Sequence, residues 1–184
     1  MIAVQLFGET LSFWTDSGVF SSRRLDAGTE LLLETLPPAA GRTVLDVGCG
    51  WGAIGLTLAR LGRAGPVVLI DVNERAVRLT QQTAELWGVA VDVRHGDGYQ
   101  ALLPHERFDL IVTNPPVRAG KGTYYPWVAE APQHLRPGGA LWAVIRTKQG
   151  ASSFAAQLAA HFPRARRQAR RGGYEVWVGE SEGV

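Results

Sequence analysis

Cysteine is nearly absent from this sequence, since Cys49 is the single one among 184 residues. One cysteine cannot form an internal disulfide, which favours the reducing environment of the cytoplasm. No apolar run approaches the roughly 18 residues of a membrane span, and the first residues lack the basic cluster that begins a signal peptide. We therefore expect a soluble, cytoplasmic protein with no membrane partner.

Signatures of several enzyme classes are also missing. The sequence has neither a G-x-S-x-G nucleophile elbow nor the lysine of a P-loop, which mark α/β-hydrolases and P-loop nucleotide-binding proteins. The histidines have no metal-ligand spacing among themselves or with Cys49, so we expect no bound metal. The four histidines are His95, His105, His134 and His161.

The composition itself is that of an ordinary globular protein, with 46% apolar and 20% charged residues and a net charge of +2. A chain of this length can bury a sizeable core. The slight positive charge is compatible with an RNA partner but does not require one. We expect one domain over residues 1–184, with an N-terminal extension and helix in 1–40 and the main body in 41–184, in a monomer or weak homo-oligomer.

Short apolar runs alternate with helical patterns along the chain. The five strands predicted before a C-terminal hairpin cover residues 43–50, 66–73, 91–97, 108–116 and 139–147. The predicted helices cover residues 26–36, 52–62, 74–87, 127–135 and 152–162. Asp26 should cap the first helix, and Pro132 should kink or shorten the fourth. The last residues, up to 180, are predicted to form two strands that turn at Gly172–Gly173.

Continuous apolar strands separated by helices predict an α/β fold in which helices cover both faces of a mostly parallel sheet. The C-terminal hairpin adds an antiparallel strand and brings the sheet to seven strands. An antiparallel strand at the C-terminal end distinguishes the Rossmann-like sheet of class I methyltransferases from the all-parallel sheet that binds dinucleotides. We therefore predict the methyltransferase sheet.

The glycine-rich stretch "LDVGCGWGAIG" fits two kinds of cofactor loop. Gly50, Gly52 and Gly55 match the G-x-G-x-x-G of dinucleotide-binding proteins. Gly48, Gly50 and Gly52 match the G-x-G-x-G of methyltransferases that bind S-adenosyl-L-methionine. A dinucleotide carries a pyrophosphate, whereas S-adenosyl-L-methionine carries an ammonium, which Asp46 would attract directly or through water. Asp46 therefore favours S-adenosyl-L-methionine.

Two further carboxylates follow the next two predicted strands. Asp71 comes roughly 20 residues after the glycine loop, where it can accept both hydroxyls of a ribose, a group that both cofactors contain. Asp97 can accept the amino group of adenine. Because the carboxyl ends of parallel strands meet at one crevice, the glycine loop and the three acids together predict a cofactor site there.

The stretch "TNPP", residues 113–116, ends the fourth predicted strand beside the same crevice. Proline has no N–H and holds the preceding residue extended, so this bend offers mainly acceptors: the Asn114 side-chain oxygen and the carbonyls of Asn114 and Pro115. Two acceptors can bind both hydrogens of a planar NH2 group and direct its lone pair toward a methyl donor. No strong base is needed, because the proton can leave after methylation, and the acceleration would come from positioning and exclusion of water.

These motifs together resemble the class I methyltransferases with an N-P-P motif, and within them the RsmC-type ribosomal RNA (guanine-N2-)-methyltransferases. The likeness covers nearly the whole chain and corresponds to the catalytic domain of that family. Its most specific part is "SGVFSSRRLDAGTELLL", followed along the chain by "LDVGCGWGAIG", "DVNERAV", "FDLIVTNPPVRAGK" and "LRPGGALWAVI". The resemblance implies transfer of a methyl group from S-adenosyl-L-methionine to the 2-amino group of a guanine in small-subunit ribosomal RNA.

The resemblance and the residue chemistry assign side chains to the two ligands. Asn114 and Pro115 would be the catalytic pair that holds the amine. The residues expected to border the cofactor are Asp46, Gly48, Cys49, Gly50, Asp71, Val72, Asp97, Gly98 and Asn114. The residues expected to contact the ribosomal RNA or ribosomal subunit are Phe20, Pro116, Val117, Arg118, Lys121 and Tyr124. Cys49 is expected to pack under the cofactor rather than to act as a nucleophile, since methyl transfer needs no covalent intermediate.

Two positions depart from that family. An aromatic residue usually follows N-P-P and would stack on a base rotated out of its helix, but this chain has Val117. The aromatic residues that could replace this platform are Phe20, Trp51, Tyr124 and Tyr125. Arg118 stands where the family often has histidine, and it could contact RNA phosphate instead.

Other interpretations stay open on the sequence alone. The N-P-P bend suits any planar NH2 group, so an adenine or a protein glutamine amide is an alternative acceptor. The missing aromatic residue keeps a non-catalytic RNA-binding protein with a cofactor pocket as a second alternative, and a nicotinamide-dependent oxidoreductase is a more distant one. The five arginines of "RARRQARR" either bind RNA phosphates or protect an exposed edge strand by their charge.

Overall fold

The chain begins with a β-hairpin that the sequence does not predict. In the computed structural model, which describes residues 1–117 and 120–183, β1 (Ile2–Leu6) pairs antiparallel with β2 (Glu9–Phe13). The turn between them, at Phe7 and Gly8, has φ angles of 51° and 82°, and phenylalanine at its first position is not one of the residues that mark such a turn in a sequence. The hairpin side chains buried against the rest of the protein are Val4, Leu6, Leu11 and Phe13.

Helix α1 (Ala27–Thr35) follows, as the sequence predicts. The Oδ2 atom of Asp26 accepts hydrogen bonds from the N–H groups of Gly28 and Thr29, at 2.9 and 3.1 Å, and so caps the helix. The leucines of its middle turn are fully or almost fully buried, and α1 packs on the strands Leu135–Arg146 and Tyr174–Glu180 of the main sheet. The N-terminal segment is thereby joined to the core.

Seven further strands form the main sheet, as predicted. In chain order they are β3 (Val44–Val47), β4 (Val67–Asp71), β5 (Asp92–His95), β6 (Phe108–Thr113), β7 (Leu135–Arg146), β8 (Arg164–Arg171) and β9 (Tyr174–Glu180). Their order across the sheet is β5–β4–β3–β6–β7–β9–β8. The first five in that order pair in parallel, and β9 pairs antiparallel with both β7 and β8. The predicted class I methyltransferase fold is confirmed.

Four more helices connect these strands: α2 (Ala53–Arg60), α3 (Glu74–Trp87), α4 (Lys121–His134) and α5 (Ala151–His161). Successive strand residues point to opposite faces of the sheet, and both faces are apolar. One face packs on the hairpin, α1, α2 and α3, and the other on α4 and α5. This two-sided cover explains why the strands read as continuous apolar runs in the sequence.

The predicted start of α4 is wrong. The sequence predicts a helix at 127–135, whereas α4 begins six residues earlier, at Lys121, and contains two prolines. Each proline removes one backbone hydrogen bond, those to the carbonyls of Gly122 and Val128. The helix continues because Tyr124, Trp127, Val128 and Ala131 are buried along it, and packing outweighs propensity.

Candidate active site

A cavity of about 1050 Å³ opens at the carboxyl edge of the parallel strands. It lies where the strand order changes direction, between β3 and β6, which is where open α/β sheets bind ligands. Its walls come from residues between 19 and 30, from the turns that follow β3, β4, β5 and β6, and from the β8–β9 turn. Small-molecule sites measure roughly 300–1000 Å³, so this cavity has room for a cofactor and part of a second ligand.

The glycine loop after β3 forms one wall of the cavity. Gly48 and Gly50 have φ angles of 70° and 58°, in the left-handed region that glycine adopts without steric cost. A Cβ on Gly48 would lie 2.9 Å from the Trp127 ring, so the loop packs closely on α4. A Cβ on Gly50 would meet no protein atom within 4 Å, so it would occupy open space that a ligand can use.

Asp71, at the end of β4, holds the glycine loop in place. Its Oδ2 accepts from the N–H of Gly50 at 2.8 Å, and its Oδ1 accepts from the N–H of Asn73 at 2.8 Å. Asp71 also lines the cavity. Each carboxylate oxygen has a second lone pair, so both oxygens can still accept from ligand hydroxyls.

Asp97 and Gly98 line the cavity from the end of β5, and Val72 lines it from the end of β4. Asp97 is exposed, and its carboxylate has no partner among the residues that the structure describes. It is therefore available to a ligand amino group. A Cβ on Gly98 would lie 2.5 Å from Nε1 of Trp127, so only glycine fits here.

Asp46 lies behind the cavity wall and is fully buried. Its Oδ2 accepts from the N–H of Gly55 at 2.8 Å, and its Oδ1 has no hydrogen-bond partner in the described part of the chain. Burial raises the pKa of this carboxyl to about 7, because the charged form loses its hydration. Asp46 does not line the cavity. Of the two ways in which it is expected to attract the cofactor ammonium, direct contact is therefore ruled out, and contact through water stays a prediction.

Cys49 lines the cavity but is almost completely buried. Its thiol lies 3.6 Å from the carbonyl oxygen of Gly50. Burial raises the pKa of this thiol well above its ordinary value, so it stays protonated at neutral pH. A protonated, buried thiol is a poor nucleophile, which agrees with the packing role expected from the sequence.

Asn114 lines the cavity from the end of β6, and its neighbours fix the orientation of its side-chain amide. Its Nδ2 donates to Oδ2 of Asp26 at 3.1 Å and to Oγ1 of Thr29 at 2.9 Å. A carboxylate can only accept, so the NH2 side of the amide must face Asp26 and Oδ1 must face away. Oδ1 has no donor among the described residues and is not a buried atom. The amide therefore presents an acceptor to the cavity.

Tyr174, itself hydrogen-bonded to Arg146, holds the other oxygen of the Asp26 carboxylate. The hydroxyl of Tyr174 donates to Oδ1 of Asp26 at 2.8 Å, and its oxygen accepts from Nε of Arg146 at 2.9 Å. This chain of hydrogen bonds joins α1, β6, β7 and β9 around the amide. The sequence identifies Asp26 only as a helix cap and contains no signal for Tyr174 or Arg146, which lie far from it in the chain.

The rest of the N-P-P bend also lines the cavity, through Pro115, Pro116 and Val117. Pro115 is buried and Pro116 is exposed. The N–H of Val117 donates to the carbonyl of Pro115 at 2.8 Å, so this predicted acceptor is already used in part. The side-chain oxygen of Asn114 is thus the acceptor with the most capacity for a ligand.

The predicted aromatic contacts occupy different places. Phe20 lines the cavity and is 67% exposed, and its carbonyl accepts from the indole N–H of Trp51 at 3.0 Å. Tyr124, in contrast, is 1% exposed, does not line the cavity and packs against Tyr125 and Phe154. The direct substrate contact predicted for Tyr124 is incompatible with this burial, because α4 starts earlier than expected and turns Tyr124 into the core.

The two cations predicted to contact the substrate are Lys121 and Arg118. Lys121 begins α4, is exposed and does not line the cavity; its Nζ is 5.9 Å from the centre of the Tyr125 ring. Arg118 lies outside the described residues. The substrate contacts expected of both residues stay predictions.

Neither a group of metal-binding side chains nor a membrane-spanning helix occurs in the part of the chain that the structure describes. Its His, Cys, Asp and Glu side chains form no group of three or more that could hold a metal ion. No helix there combines the length and the apolar character needed to cross a lipid bilayer.

The chain is similar to known proteins along most of its length. The family model "Methyltransferase small domain" matches residues 10–178. The uncharacterized protein YbxB of Bacillus subtilis is 37% identical over 174 residues, which cover 94% of this chain and 87% of that protein. The ribosomal RNA small subunit methyltransferase C of Hahella chejuensis is 40% identical over 137 residues, which cover 72% of this chain and 40% of that protein.

Solved structures agree with these relatives. The Thermus thermophilus 16S rRNA N2 methyltransferase RsmC, in complex with AdoMet and guanosine, matches with a TM-score of 0.90 and 30% identity, over 98% of this chain and 50% of that chain. A methyltransferase from Pyrococcus furiosus, with a TM-score of 0.79 and 18% identity, supports the fold alone. The chain spans about half or less of the length of the Hahella and Thermus methyltransferases. The resemblance to the RsmC type is confirmed, and the chain belongs to the methyltransferase small domain family.

Proposed function

We propose that this protein transfers a methyl group from S-adenosyl-L-methionine to the exocyclic 2-amino group of a guanine in small-subunit ribosomal RNA. The observation that carries the proposal is the Asn114 amide, whose oxygen faces the cavity because Asp26 and Thr29 hold its NH2 group. The similar Thermus thermophilus structure, with AdoMet and guanosine bound, supports the choice of ligands. The cytoplasmic location and the monomeric or weakly oligomeric state stay predictions from the sequence.

The cavity residues fit S-adenosyl-L-methionine. Gly50 leaves open space in the wall, and the carboxylates of Asp71 and Asp97 can accept from ribose hydroxyls and from the adenine amino group. The unpartnered Oδ1 of Asp46 can attract the ammonium through water. When bound, the cofactor would supply an electrophilic methyl group on a sulfonium.

The N-P-P bend would hold the target amine. Oδ1 of Asn114 accepts one of its two hydrogens, and a main-chain carbonyl of Asn114 or Pro115 accepts the other. With both hydrogens held, the nitrogen lone pair is less delocalised into the base and keeps one direction. As the N–C bond forms, the bond from the methyl group to sulfur would break and leave its electron pair on sulfur. The methylated amine would then be positively charged and lose its proton to solvent, so no side chain has to act as a strong base beforehand.

Phe20 provides the aromatic face that Val117 cannot. It is 67% exposed at the cavity rim, while the hydrogen bond from Trp51 to its carbonyl fixes its backbone. Stacking of a nucleic-acid base on an aromatic side chain contributes about 1–3 kcal/mol. Phe20 would therefore hold the plane of the guanine, and the apolar Pro115, Pro116 and Val117 would exclude water around the amine.

Substitution of Asn114 by alanine tests the proposal. Nucleoside mass spectrometry of ribosomal RNA from a strain lacking the protein should show the loss of one methylguanosine, which the wild-type gene restores and Asn114→Ala does not. With purified protein, Asn114→Ala should lower the rate of methyl transfer on the order of 100-fold, because the amine is no longer oriented. Asp97→Ala is the comparison variant, and it should mainly raise the KM for S-adenosyl-L-methionine.

The destination of a labelled methyl group separates the alternatives. Label should enter the RNA fraction of a cell extract rather than the DNA or protein fraction. Label in the protein fraction would favour a glutamine amide as acceptor. An unchanged nucleoside profile in the strain lacking the protein would contradict the guanine assignment and favour a non-catalytic RNA-binding role.

A further inference from the structure

A second cavity, of about 830 Å³, adjoins the candidate active site. Its walls are two short segments, 146–149 at the end of β7 and 170–173 at the β8–β9 turn. The N–H of Thr147 donates to the carbonyl of Gly173 at 2.9 Å and joins the two segments. The two cavities lie side by side, because Arg146, Gln149 and Gly172 line both.

Four of the eight described residues that line this second cavity are cationic, and none of the eight is acidic. The cationic ones are Arg146, Lys148, Arg170 and Arg171, and all four are exposed. These four residues form a basic cleft. Positive charge without a lining carboxylate, beside a nucleotide-sized pocket, is suited to an anion of a polynucleotide.

Two cations of the basic cleft have free charged groups. Lys148 has no partner within residues 1–117 and 120–183. Arg146 donates its Nε to the Tyr174 hydroxyl, and its guanidinium lies 4.9 Å from the centre of that ring. Both terminal NH2 groups of Arg146 therefore remain available, on a guanidinium that is held at the boundary of the two cavities.

The other two cations pair with glutamates. Nη1 of Arg171 lies 2.7 Å from a carboxylate oxygen of Glu34, with the side chains 53% and 42% exposed. An exposed pair of this kind contributes at most about 1 kcal/mol, so a phosphate can compete for Arg171. Nε of Arg170 lies 3.7 Å from a carboxylate oxygen of Glu175, which is buried, but the Arg170 side chain is itself 59% exposed and can also face a phosphate.

The remaining arginines of β8 do not line the second cavity. Arg164 begins the strand, Arg166 pairs with Glu180 at 2.8 Å, and Arg167 pairs with Glu175 at 3.5 Å. β8 is the edge strand of the sheet, and charged side chains on an edge prevent it from pairing with other strands. The β8 arginines that adjoin the candidate active site are therefore those at the β8–β9 turn.

We propose that the basic cleft binds backbone phosphates of the RNA strand next to the nucleotide whose base enters the candidate active site. The inference rests on the proposed function, because it needs a polynucleotide with one base in the first cavity. Guanidinium and ammonium groups are the usual protein ligands of phosphate. Contacts of this kind fix the position of the strand without reading its sequence.

The salt dependence of RNA binding tests the inference. Binding of a single-stranded, guanine-containing RNA oligonucleotide is measured by fluorescence anisotropy at several salt concentrations, for wild type, Lys148→Gln, Arg170→Gln and the double variant. Each lost phosphate contact should lower the slope of log Kd against log salt by about 0.7. Arg164→Gln is the matched control: it removes an equal charge from the far end of β8, outside the basic cleft, and should keep the wild-type slope.

Two outcomes separate this inference from the proposed function. Slopes for Lys148→Gln and Arg170→Gln that equal the slope for Arg164→Gln would overturn the basic cleft, even in a protein that methylates RNA. If the variants have reduced slopes but the wild-type protein transfers no methyl group to RNA, the result would support the basic cleft and contradict the proposed function. Thermal unfolding of each variant should match the wild type, because the substituted side chains are exposed.

Discussion

Replacing Asp26 by asparagine should slow methyl transfer far more than it weakens the fold. Asparagine has the same shape and caps helices as well as aspartate does, so α1 keeps its cap when the new side-chain oxygen takes the place of Oδ2. The replacement has a single acceptor oxygen, whereas Asp26 accepts from the Tyr174 hydroxyl on one oxygen and from Asn114 on the other. The variant can therefore satisfy only one of these two donors.

Both arrangements of the variant impair the alignment of Asn114. If the new NH2 group faces Asn114, that amide is driven to turn and to present its own NH2 group to the cavity. If it faces Tyr174, the hydroxyl loses its acceptor, because an amide NH2 group cannot accept its hydrogen, and the Asn114 amide is held by a neutral group. A hydrogen bond to a charged group contributes about 1.5–3 kcal/mol, which corresponds to a fall in kcat of about 10- to 100-fold.

The assay is the transfer of labelled methyl groups to unmodified small-subunit ribosomal RNA, made by transcription, at saturating S-adenosyl-L-methionine. We expect kcat to fall while the KM for RNA stays within about twofold, since orientation rather than binding is lost. Thermal unfolding should move by only a few degrees, because a charge at a helix N-terminus contributes about 0.3–1 kcal/mol.

Two further variants make this prediction specific. Asp26→Ala also removes the cap and should cost about 0.5–2 kcal/mol of stability, which Asp26→Asn should not. Asp16→Asn changes an exposed carboxylate of the same N-terminal segment, paired with Arg75 at 3.4 Å and outside the cavity wall, and should keep the wild-type kcat. A wild-type kcat in Asp26→Asn would refute the idea that this carboxylate orients Asn114.

Thr29→Val removes the second acceptor of the Asn114 NH2 group and should lower kcat about fivefold, as the loss of one neutral hydrogen bond would. The control is Thr35→Val, which should keep the wild-type kcat because the Thr35 hydroxyl donates to carbonyls within α1. Equal kcat values for the two variants would contradict the contact between Asn114 and Thr29. Burial raises the pKa of Asp46 from 3.8 to about 7, so the folded state binds that proton more tightly than the unfolded chain. This carboxyl should therefore lower the free energy of unfolding by up to about 4 kcal/mol as pH rises from about 4 to 7. Denaturant titrations of Asp46→Asn should lack that part of the pH dependence, and identical pH profiles for the two proteins would count against it.

The parts of the fold that the sequence predicts are those with local signals. Short apolar segments bounded by turn residues, the Asn73 and Asp26 caps and the Gly172–Gly173 turn place the main sheet and most helices. The β1–β2 hairpin escapes prediction because its turn has phenylalanine where Asn, Asp or Gly usually signals a hairpin. The start of α4 escapes because Pro126 argues against a helix locally, while burial of side chains on both sides of it decides the outcome.

The same distinction applies to the candidate site. The glycine loop, Asp71, Asp97 and Asn114 are recognisable because each follows an apolar strand, and strand ends converge. The partners of Asn114 are not recognisable, since Asp26 lies 88 residues away from it in the chain, and Asp26 and Tyr174 are 148 residues apart. Contacts between such distant positions depend on the register of β6, β7 and β9, which no local pattern specifies.

Arg146 belongs to both cavities, and it is the last member of the hydrogen-bond chain that runs through Tyr174 and Asp26 to Asn114. One guanidinium thus serves two tasks through different nitrogen atoms. A neutral replacement at this position alters the acceptor alignment and the surface charge together, because it removes the donor to Tyr174 along with the charge. Selection on either task therefore constrains the other at Arg146, whereas Lys148, Arg170 and Arg171 leave strand anchoring free to vary alone.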